Sequence, residues 1–290
     1  ATLGHHGSSP ALLVFAAPAV LSSLPAMQLK GAVVAVTGGA SGLGEATCRA
    51  VVAKGGKVAV MDMNEEKGNA LVAELGADNA MFVKCNVTDE TSVEDAVEAI
   101  MTKFGRIDGN VNCAGGTDRG NGLTVDKKGK PHSVASFKKT VDLNIIGTFA
   151  VLSKCAAKMA LNQPADEEGE RGCIINVASV AAFDGQNGQA GYAAGKGGIA
   201  AMTLPIARDL GRRGIRCNTI APGVFETPMT APMKEHAPKV YASLTGAQVF
   251  PNNRLGLAPE FAHMAVAILE NKFMNGETIR VDGGIRMGKL

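Results

Sequence analysis

From residue 29 onward, short apolar runs rich in β-branched residues alternate with longer segments in which apolar residues recur at helical spacing. This alternation is typical of a parallel sheet with helical crossovers. Most runs are apolar at every position, as in strands that are covered on both faces. The pattern predicts an α/β fold: one doubly wound domain with about seven parallel strands and helices on both faces. The predicted strands are 32–36, 57–61, 81–83, 109–112, 173–177, 215–220 and 278–281, and the predicted helices are 42–54, 65–75, 90–104, 136–161, 189–212 and 259–270.

The first 26 residues do not share this pattern and contain no Lys, Arg, Asp or Glu. Their apolar run is short and is interrupted by Pro18, which is unfavourable for a membrane span. They also lack the arginines of a mitochondrial presequence and the positive start of a secretory signal. We interpret 1–26 as a leader or an artificially added segment and 27–290 as the domain, with a truncated targeting signal as the alternative.

Three segments interrupt the alternation of strands and helices. Residues 117–133 are basic, with Lys127, Lys128 and Lys130, and residues 162–172 are acidic. Both are expected to be surface loops. Residues 224–253 contain four prolines, and we expect this segment to form a lid over a site.

Overall composition excludes several classes of function. The formal net charge of +2 indicates neither nucleic acid nor a membrane surface as a partner. The six cysteines are scattered, without a CxxC pair or a Cys/His spacing that would predict a metal site. In a chain with 46% hydrophobic residues they are expected to be reduced, mostly buried thiols. A cytoplasmic location follows, with the mitochondrial matrix as the alternative.

A glycine-rich turn, TGGASGLG, links the first predicted strand to the first predicted helix. Glycine allows a tight turn and a close approach of the backbone to phosphates, and the helix start favours their negative charge. The context therefore predicts a dinucleotide site. Its residues are Gly38, Ser41, Gly42, Leu43 and Gly44.

Asp62 ends the second predicted strand, where it bears on the choice of dinucleotide. A carboxylate there accepts hydrogen bonds from ribose hydroxyls and repels a 2′-phosphate. Met63 and Asn64 follow it and provide no arginine for such a phosphate. NAD(H) is thus predicted over NADP(H), and the alternative is that Asp62 only caps a turn.

Tyr192 and Lys196 are four residues apart in a predicted helix, so their side chains share one face. A neighbouring ammonium favours the phenolate, and we expect it to lower the tyrosine pKa from about 10. Such a tyrosine exchanges protons with alcohols and carbonyls. The surrounding Gly and Ala residues predict a helix that another group approaches closely. The alternative is a core tyrosine beside a solvated lysine.

Other candidate residues lie near the carboxyl ends of predicted strands. Ser179 ends the fifth strand and precedes Tyr192 by a short loop, which could place its hydroxyl beside the phenol. Small residues after the fourth strand leave room for a cofactor. Asn144 is a polar position in an apolar helix. A loop serine and a satisfied buried amide are the simpler interpretations of Ser179 and Asn144. The small residues that follow the fourth predicted strand are Cys113, Ala114 and Gly115.

Together, TGxxxGxG, the strand-end Asp, NxAG, Asn, Ser and YxxxK resemble the short-chain dehydrogenase/reductase family, in its order and spacing, from residue 27 to the end. The resemblance implies a Rossmann fold, a homotetramer and a catalytic tetrad of Asn144, Ser179, Tyr192 and Lys196. Asn86 stands where the family commonly has Asp. The resemblance also implies further contacts: Asn86 and Val87 with the adenine side of the cofactor, Pro222, Gly223, Val224 and Thr227 with the nicotinamide side, and Gln189 with the substrate.

Longer phrases, such as residues 178–199 and 275–287, are similar to the 3-hydroxyacyl-CoA dehydrogenases of this family. They imply NAD-dependent oxidation of (S)-3-hydroxyacyl-CoA to 3-oxoacyl-CoA, with hydroxysteroids as further candidate substrates. The basic loop could then meet the CoA phosphates. The rival enzyme is a 3-oxoacyl-carrier-protein reductase, which usually uses NADPH. The rival of another class is a non-catalytic, NAD-binding scaffold subunit.

Overall fold

The computed structural model describes residues 29–116, 122–251 and 254–288, together with residue 1. The 1–26 leader and the predicted start at Met27 therefore lie outside the described residues, apart from residue 1. The strands are β1 Val33–Thr37, β2 Lys57–Asp62, β3 Ala80–Lys84, β4 Gly109–Asn112, β5 Gly172–Val177, β6 Ile215–Pro222, β7 Phe225–Glu226, β8 Gly256–Leu257 and β9 Thr278–Val281. The α-helices are α1 Gly42–Ala53, α2 Glu65–Leu75, α3 Glu90–Phe104, α4 Val134–Val141, α5 Gly147–Met159, α6 Ala190–Gly211, α7 Met233–His236, α8 Pro238–Gly246 and α9 Ala258–Glu270.

Seven strands form one parallel sheet, as predicted, and the structure gives their order as β3-β2-β1-β4-β5-β6-β9. The chain moves outward from β1 to β3 and then returns to place β4 on the other side of β1. The reversal separates the connections that follow β1 and β4, which opens a crevice at the carboxyl ends of these strands.

Each face of the sheet has its own hydrophobic core. On β1, Val34 and Val36 pack on one side with α1 and α9, whereas Val33 and Ala35 pack on the other with α3, α5 and α6. Successive side chains of a strand point to opposite faces, so a strand between two helical layers must be apolar throughout. This arrangement accounts for the continuous apolar runs in the sequence.

The predicted helix 136–161 is interrupted, which the sequence pattern did not indicate. A π-helical turn, Asp142–Ile146, separates α4 from α5 and carries Asn144. The stretch Val134–Met159 is also the one among the described residues that is long and apolar enough to cross a membrane. Within this stretch, α5 packs against α3, β4 and β5 and is a core helix of the domain. The predicted lid contains β7, α7 and α8, and its residues 252–253 lie outside the described residues.

Candidate active site

A cleft of about 450 Å³ lies at the carboxyl ends of β1, β4, β5 and β6. Most of the predicted site residues line this cleft. They are Gly38, Ser41, Gly42, Leu43, Gly44, Cys113, Ala114, Gly115, Ser179, Gln189, Tyr192, Lys196, Pro222, Gly223, Val224 and Thr227.

The glycine turn has a shape that side chains would prevent. Gly38 and Gly42 have positive φ angles of 62° and 54°, which glycine adopts without strain. A Cβ on Gly44 would lie 2.2 Å from the carbonyl oxygen of Gly38, so the start of α1 approaches the turn closely. The residues present therefore fit the pyrophosphate of a dinucleotide at a helix N-terminus.

Asp62 lies at the end of β2 beside this turn but does not line the cleft. Its Oδ2 accepts a hydrogen bond from the Ala40 N–H at 3.0 Å, and its Oδ1 accepts one from the Asn64 N–H at 2.9 Å. The carboxylate thus caps this turn, as the alternative interpretation expected. Each oxygen keeps a second acceptor position, so the cap is compatible with contacts to ribose hydroxyls.

The predicted adenine-side residues Asn86 and Val87 also lie outside the cleft. The Asn86 Oδ1 accepts hydrogen bonds from the backbone N–H and the hydroxyl of Thr88 at 3.1 and 2.8 Å. Val87 is buried against Gly147. Local turn formation and packing thus account for both side chains, and their contact with adenine stays a prediction.

Tyr192, Lys196 and Ser179 come together where α6 begins beside the end of β5. The Lys196 Nζ lies 5.8 Å from the centroid of the Tyr192 ring and donates a hydrogen bond to the Val177 carbonyl at 2.7 Å. The Ser179 hydroxyl accepts a hydrogen bond from the Ala181 N–H at 3.1 Å and lies close enough to the Tyr192 phenol to act on its pKa. Adjacency of the three side chains is therefore as predicted.

The expected effect of Lys196 on Tyr192 is wrong for this structure. Burial raises the pKa of Tyr192 above its ordinary value, and the Ser179 hydrogen bond acts in the opposite direction. Burial also lowers the pKa of Lys196 to about 8. The lysine donates to a backbone carbonyl rather than to the phenol. Desolvation of both groups therefore outweighs the attraction that their spacing suggested.

Asn144 is fully buried next to the end of β4. Its Nδ2 donates to the carbonyls of Gly116 and Thr140 at 2.7 and 2.8 Å, and its Oδ1 accepts from the Gly116 N–H at 3.3 Å. A Cβ on Gly115 would lie 2.8 Å from this Oδ1 and 2.9 Å from the Lys196 Nζ. Glycine at 115 therefore allows the backbone after β4 to pass close to both the Asn144 amide and the Lys196 ammonium.

The cleft also contains residues that sequence reasoning missed. Met287 reaches it from the C-terminal segment, far along the chain, and no local pattern identified it. Four further lining residues belong to the predicted lid, and their closeness to Thr227 in the sequence could have identified them. They are Phe225, Pro228, Met229 and Thr230. The remaining missed lining residues are Gly116, Val177, Ala178, Val180 and Ala181.

All six cysteines are free, and all but Cys113 are buried. Among the described residues, there is no group of three or more His, Cys, Asp or Glu side chains that could hold a metal ion.

Comparison with known proteins identifies the family of this chain. A model of the short chain dehydrogenase family matches residues 32–238. The chain belongs to this family. It is therefore a short-chain dehydrogenase that uses a nicotinamide cofactor and a small-molecule substrate.

Individual relatives cover most of the chain. It is 48% identical to the 3-hydroxyacyl-CoA dehydrogenase type-2 of Homo sapiens over 259 residues, which are 89% of this chain and 97% of the relative. The protein of the same name from Drosophila melanogaster is 46% identical over 89% of this chain and 99% of its own length. The crystal structure of 3-hydroxyacyl-CoA dehydrogenase type-2 from Mycobacterium avium has a TM-score of 0.82 and 40% identity, over 91% of this chain and 99% of that one.

Proposed function

We propose that this dehydrogenase oxidises (S)-3-hydroxyacyl-CoA thioesters to 3-oxoacyl-CoA with NAD, and that hydroxysteroids are further candidate substrates. The observation that carries the proposal is the cluster of Ser179, Tyr192 and Lys196 in a cleft that begins at the glycine turn. The names of relatives that are 46–48% identical over nearly their whole length support the choice of substrate.

Proton transfer is assigned to Tyr192. When bound, the nicotinamide supplies the hydride acceptor for the substrate carbon. During oxidation the Tyr192 oxygen, as the phenolate, takes the hydroxyl proton, and during reduction the phenol gives its proton to the carbonyl oxygen. Ser179 donates a hydrogen bond to the substrate oxygen and stabilises the charge that develops on it.

Lys196 and Asn144 support this exchange. The Lys196 Nζ would hold the ribose on the nicotinamide side of the cofactor. Asn144 would hold a water molecule that relays a proton between Lys196 and solvent. A proton accepted by Tyr192 would leave through Lys196 and this water.

Preference for NAD rests on the charges around Asp62. A second cavity of about 220 Å³ lies next to the glycine turn and is lined in part by Arg49 and Lys67, which the sequence pattern did not indicate. Arg49 is ion-paired with Glu45 at 2.8 Å and with Glu74 at 2.7 Å, so its charge is already neutralised. The Asp62 carboxylate disfavours a 2′-phosphate, because two negative charges at this position would repel each other.

The proposed assembly is a homotetramer. Exposed apolar side chains on α4, the π-helical turn and α5 support it, because such patches are typical of subunit contacts. Val134, Ile146 and Phe149 are 80%, 55% and 51% exposed. The proposed location is the cytoplasm, or alternatively the mitochondrial matrix, because six free cysteines fit a reducing compartment.

A panel of 3-hydroxyacyl-CoA esters, hydroxysteroids and 3-oxoacyl-carrier-protein, assayed by absorbance with both dinucleotides, tests the proposal. We expect the highest kcat/KM with a 3-hydroxyacyl-CoA and NAD. Preference for NADPH and an acyl carrier protein would identify the rival reductase. Binding of NADH without turnover of any alcohol or ketone in the panel would indicate the scaffold subunit.

A further inference from the structure

The C-terminal segment, residues 282–288, packs against the turn that follows Ser179 and completes the cleft. Ile285 is fully buried, and Met287 lines the cleft. The Gln186 Nε2 donates a hydrogen bond to the Gly288 carbonyl at 3.0 Å. One wall of the active site is therefore built by a segment that carries none of the predicted catalytic or cofactor-binding residues.

Arg280, near the end of β9, connects this wall to the turn. Its Nη2 donates to the Asp184 Oδ2 at 2.6 Å and to the Ile285 carbonyl at 2.9 Å. Its Nε donates to the Asp282 Oδ2 at 2.7 Å, and its guanidinium lies 5.5 Å from the centroid of the Phe183 ring. The fixed geometry of a guanidinium makes such multiple contacts directional as well as charged.

Asp184 is the partner on the side of the turn. Through the Arg280 guanidinium, which also donates to the Ile285 carbonyl, its carboxylate is linked to the C-terminal segment. The side chains of Arg280 and Asp184 are only 21% and 18% exposed, which shields their ion pair from water. Such a pair holds its geometry better than a fully exposed one does.

A short series of hydrogen bonds leads from Asp184 back to Ser179. The Asp184 N–H donates to the Val180 carbonyl at 2.8 Å, and the Ala182 N–H donates to the Ser179 carbonyl at 3.0 Å. The bond between Ala182 and Ser179 belongs to the 3₁₀ turn Val180–Ala182, whose N-cap is Ser179, and the bond from Asp184 closes the next turn of the chain. A displacement of Asp184 would therefore move the residue that contacts the Tyr192 phenol.

We propose that Arg280 and Asp184 are positioning residues, and we call their ion pair the C-terminal latch. The latch holds the turn at 179–184 against the C-terminal segment. In this way it keeps the Ser179 hydroxyl beside the Tyr192 phenol. The inference rests on the proposed role of Ser179 in the reaction. The latch acts through Ser179 and does not itself contact the reacting atoms.

The kinetic test compares Asp184→Asn with a matched control, Asp166→Asn. Asp166 precedes β5 and forms an ion pair with Lys272, which follows α9, and the two side chains are each 15% exposed. With acetoacetyl-CoA and NADH, we expect Asp184→Asn to lower kcat at least tenfold and the control to change it less than twofold. In a Ser179→Ala background, Asp184→Asn should add less than twofold, because residues that act through one another are not additive.

A spectroscopic test does not depend on turnover. The chain has two tyrosines and no tryptophan, so Tyr241→Phe leaves Tyr192 as the single tyrosine. With ¹³Cζ-labelled tyrosine, we expect Asp184→Asn to move the one NMR signal toward its position in the Ser179→Ala variant, and Asp166→Asn to leave it in place.

The two tests separate the latch from the proposed function. An unmoved signal in Asp184→Asn, or full additivity with Ser179→Ala, would overturn the latch. Turnover that survives Ser179→Ala would instead overturn the role of Ser179, and the NMR signal would still decide whether the latch positions its side chain.

Discussion

At the scale of single residues, environment decides the chemistry of Tyr192 and Lys196. Their spacing correctly predicted that the two side chains meet, since residues four apart share a helix face. The direction in which the Tyr192 pKa shifts was not predictable from the spacing, because the shift depends on how much protein covers the phenol.

Tyr192→Phe tests the assignment of the proton-transfer group. The variant keeps the ring and loses only the hydroxyl, so we expect kcat to fall by about 10²–10⁴-fold. Binding of NADH, followed by fluorescence, should change little. Turnover within a few fold of the unsubstituted enzyme would contradict the assignment.

Lys196→Met tests the cost of burying the lysine. The folded-state pKa of about 8 lies below the ordinary value of 10.5, so the unfolded chain binds more protons between these pH values. Stability from this group therefore rises as the pH rises from 8 to 10.5, by up to about 3 kcal/mol. Urea unfolding of the protein without cofactor should show the variant more stable at pH 7, with a difference that shrinks toward pH 10. A difference that does not depend on pH would contradict this account.

At the scale of elements, the glycines of α6 are explained by the chain itself. A Cβ on Gly195 would lie 3.0 Å from the Asn144 Cβ, and one on Gly198 would lie 2.6 Å from the Ile145 Cδ1. The predicted close approach is thus made by the π-helical turn Asp142–Ile146. The sequence indicated that some group comes near, but a helical period cannot say which one.

Gly44→Ala tests the packing of α1 on the glycine turn. The added Cβ would meet the Gly38 carbonyl oxygen at 2.2 Å, and backbone must move to relieve this contact. We expect a lower Tm and at least a tenfold weaker binding of NADH. The control is Gly211→Ala at the end of α6, where a Cβ meets nothing within 4 Å. The control should change Tm and NADH binding little, because the added Cβ meets no neighbouring atom.

The basic loop offers a prediction about its own segment. In the described part, Val125 and Pro131 form an antiparallel bridge, and Asp126 accepts hydrogen bonds from the N–H groups of Lys128 and Lys130. The predicted loop residues 117–121, including Arg119, lie outside the described residues. Replacing Lys127, Lys128 and Lys130 by Gln should raise KM several-fold for CoA thioesters but not for free short-chain analogues. Equal KM changes for both substrate types would exclude a contact with the CoA phosphates.

At the scale of the whole molecule, the carboxyl and amino ends of the parallel strands have different roles. The carboxyl ends of the strands carry the cleft, whereas a buried ion pair lies at the amino end of β6. The Arg216 Nε donates to the Glu170 Oε1 at 2.9 Å, and its other nitrogens donate to the carbonyls of Ile268 and Leu269 at 2.9 Å. Arg216 thereby joins the acidic loop before β5 to the C-terminal end of α9.

Arg216→Met should destabilise the molecule without altering its chemistry. It leaves Glu170 buried without its cation, and loss of one partner of a buried pair costs about 3–5 kcal/mol. Urea unfolding should show this loss, while KM stays within twofold. The double variant Arg216→Met with Glu170→Leu should recover part of the stability. A stable single variant, or one whose KM changes strongly, would contradict this separation of tasks.

The sequence by itself determined the parallel order of elements, the glycine turn, the adjacency of Tyr192 and Lys196, and the family. These features depend on periodicity and on short spacings, which the chain displays locally. Only the tertiary structure decided the break in the 136–161 helix, the pKa directions and the entry of Met287 into the cleft. Each of these depends on packing between segments that are far apart along the chain, and no local pattern records such contacts. The Tyr192 phenol thus owes its position to its own helix and its acidity to the rest of the molecule.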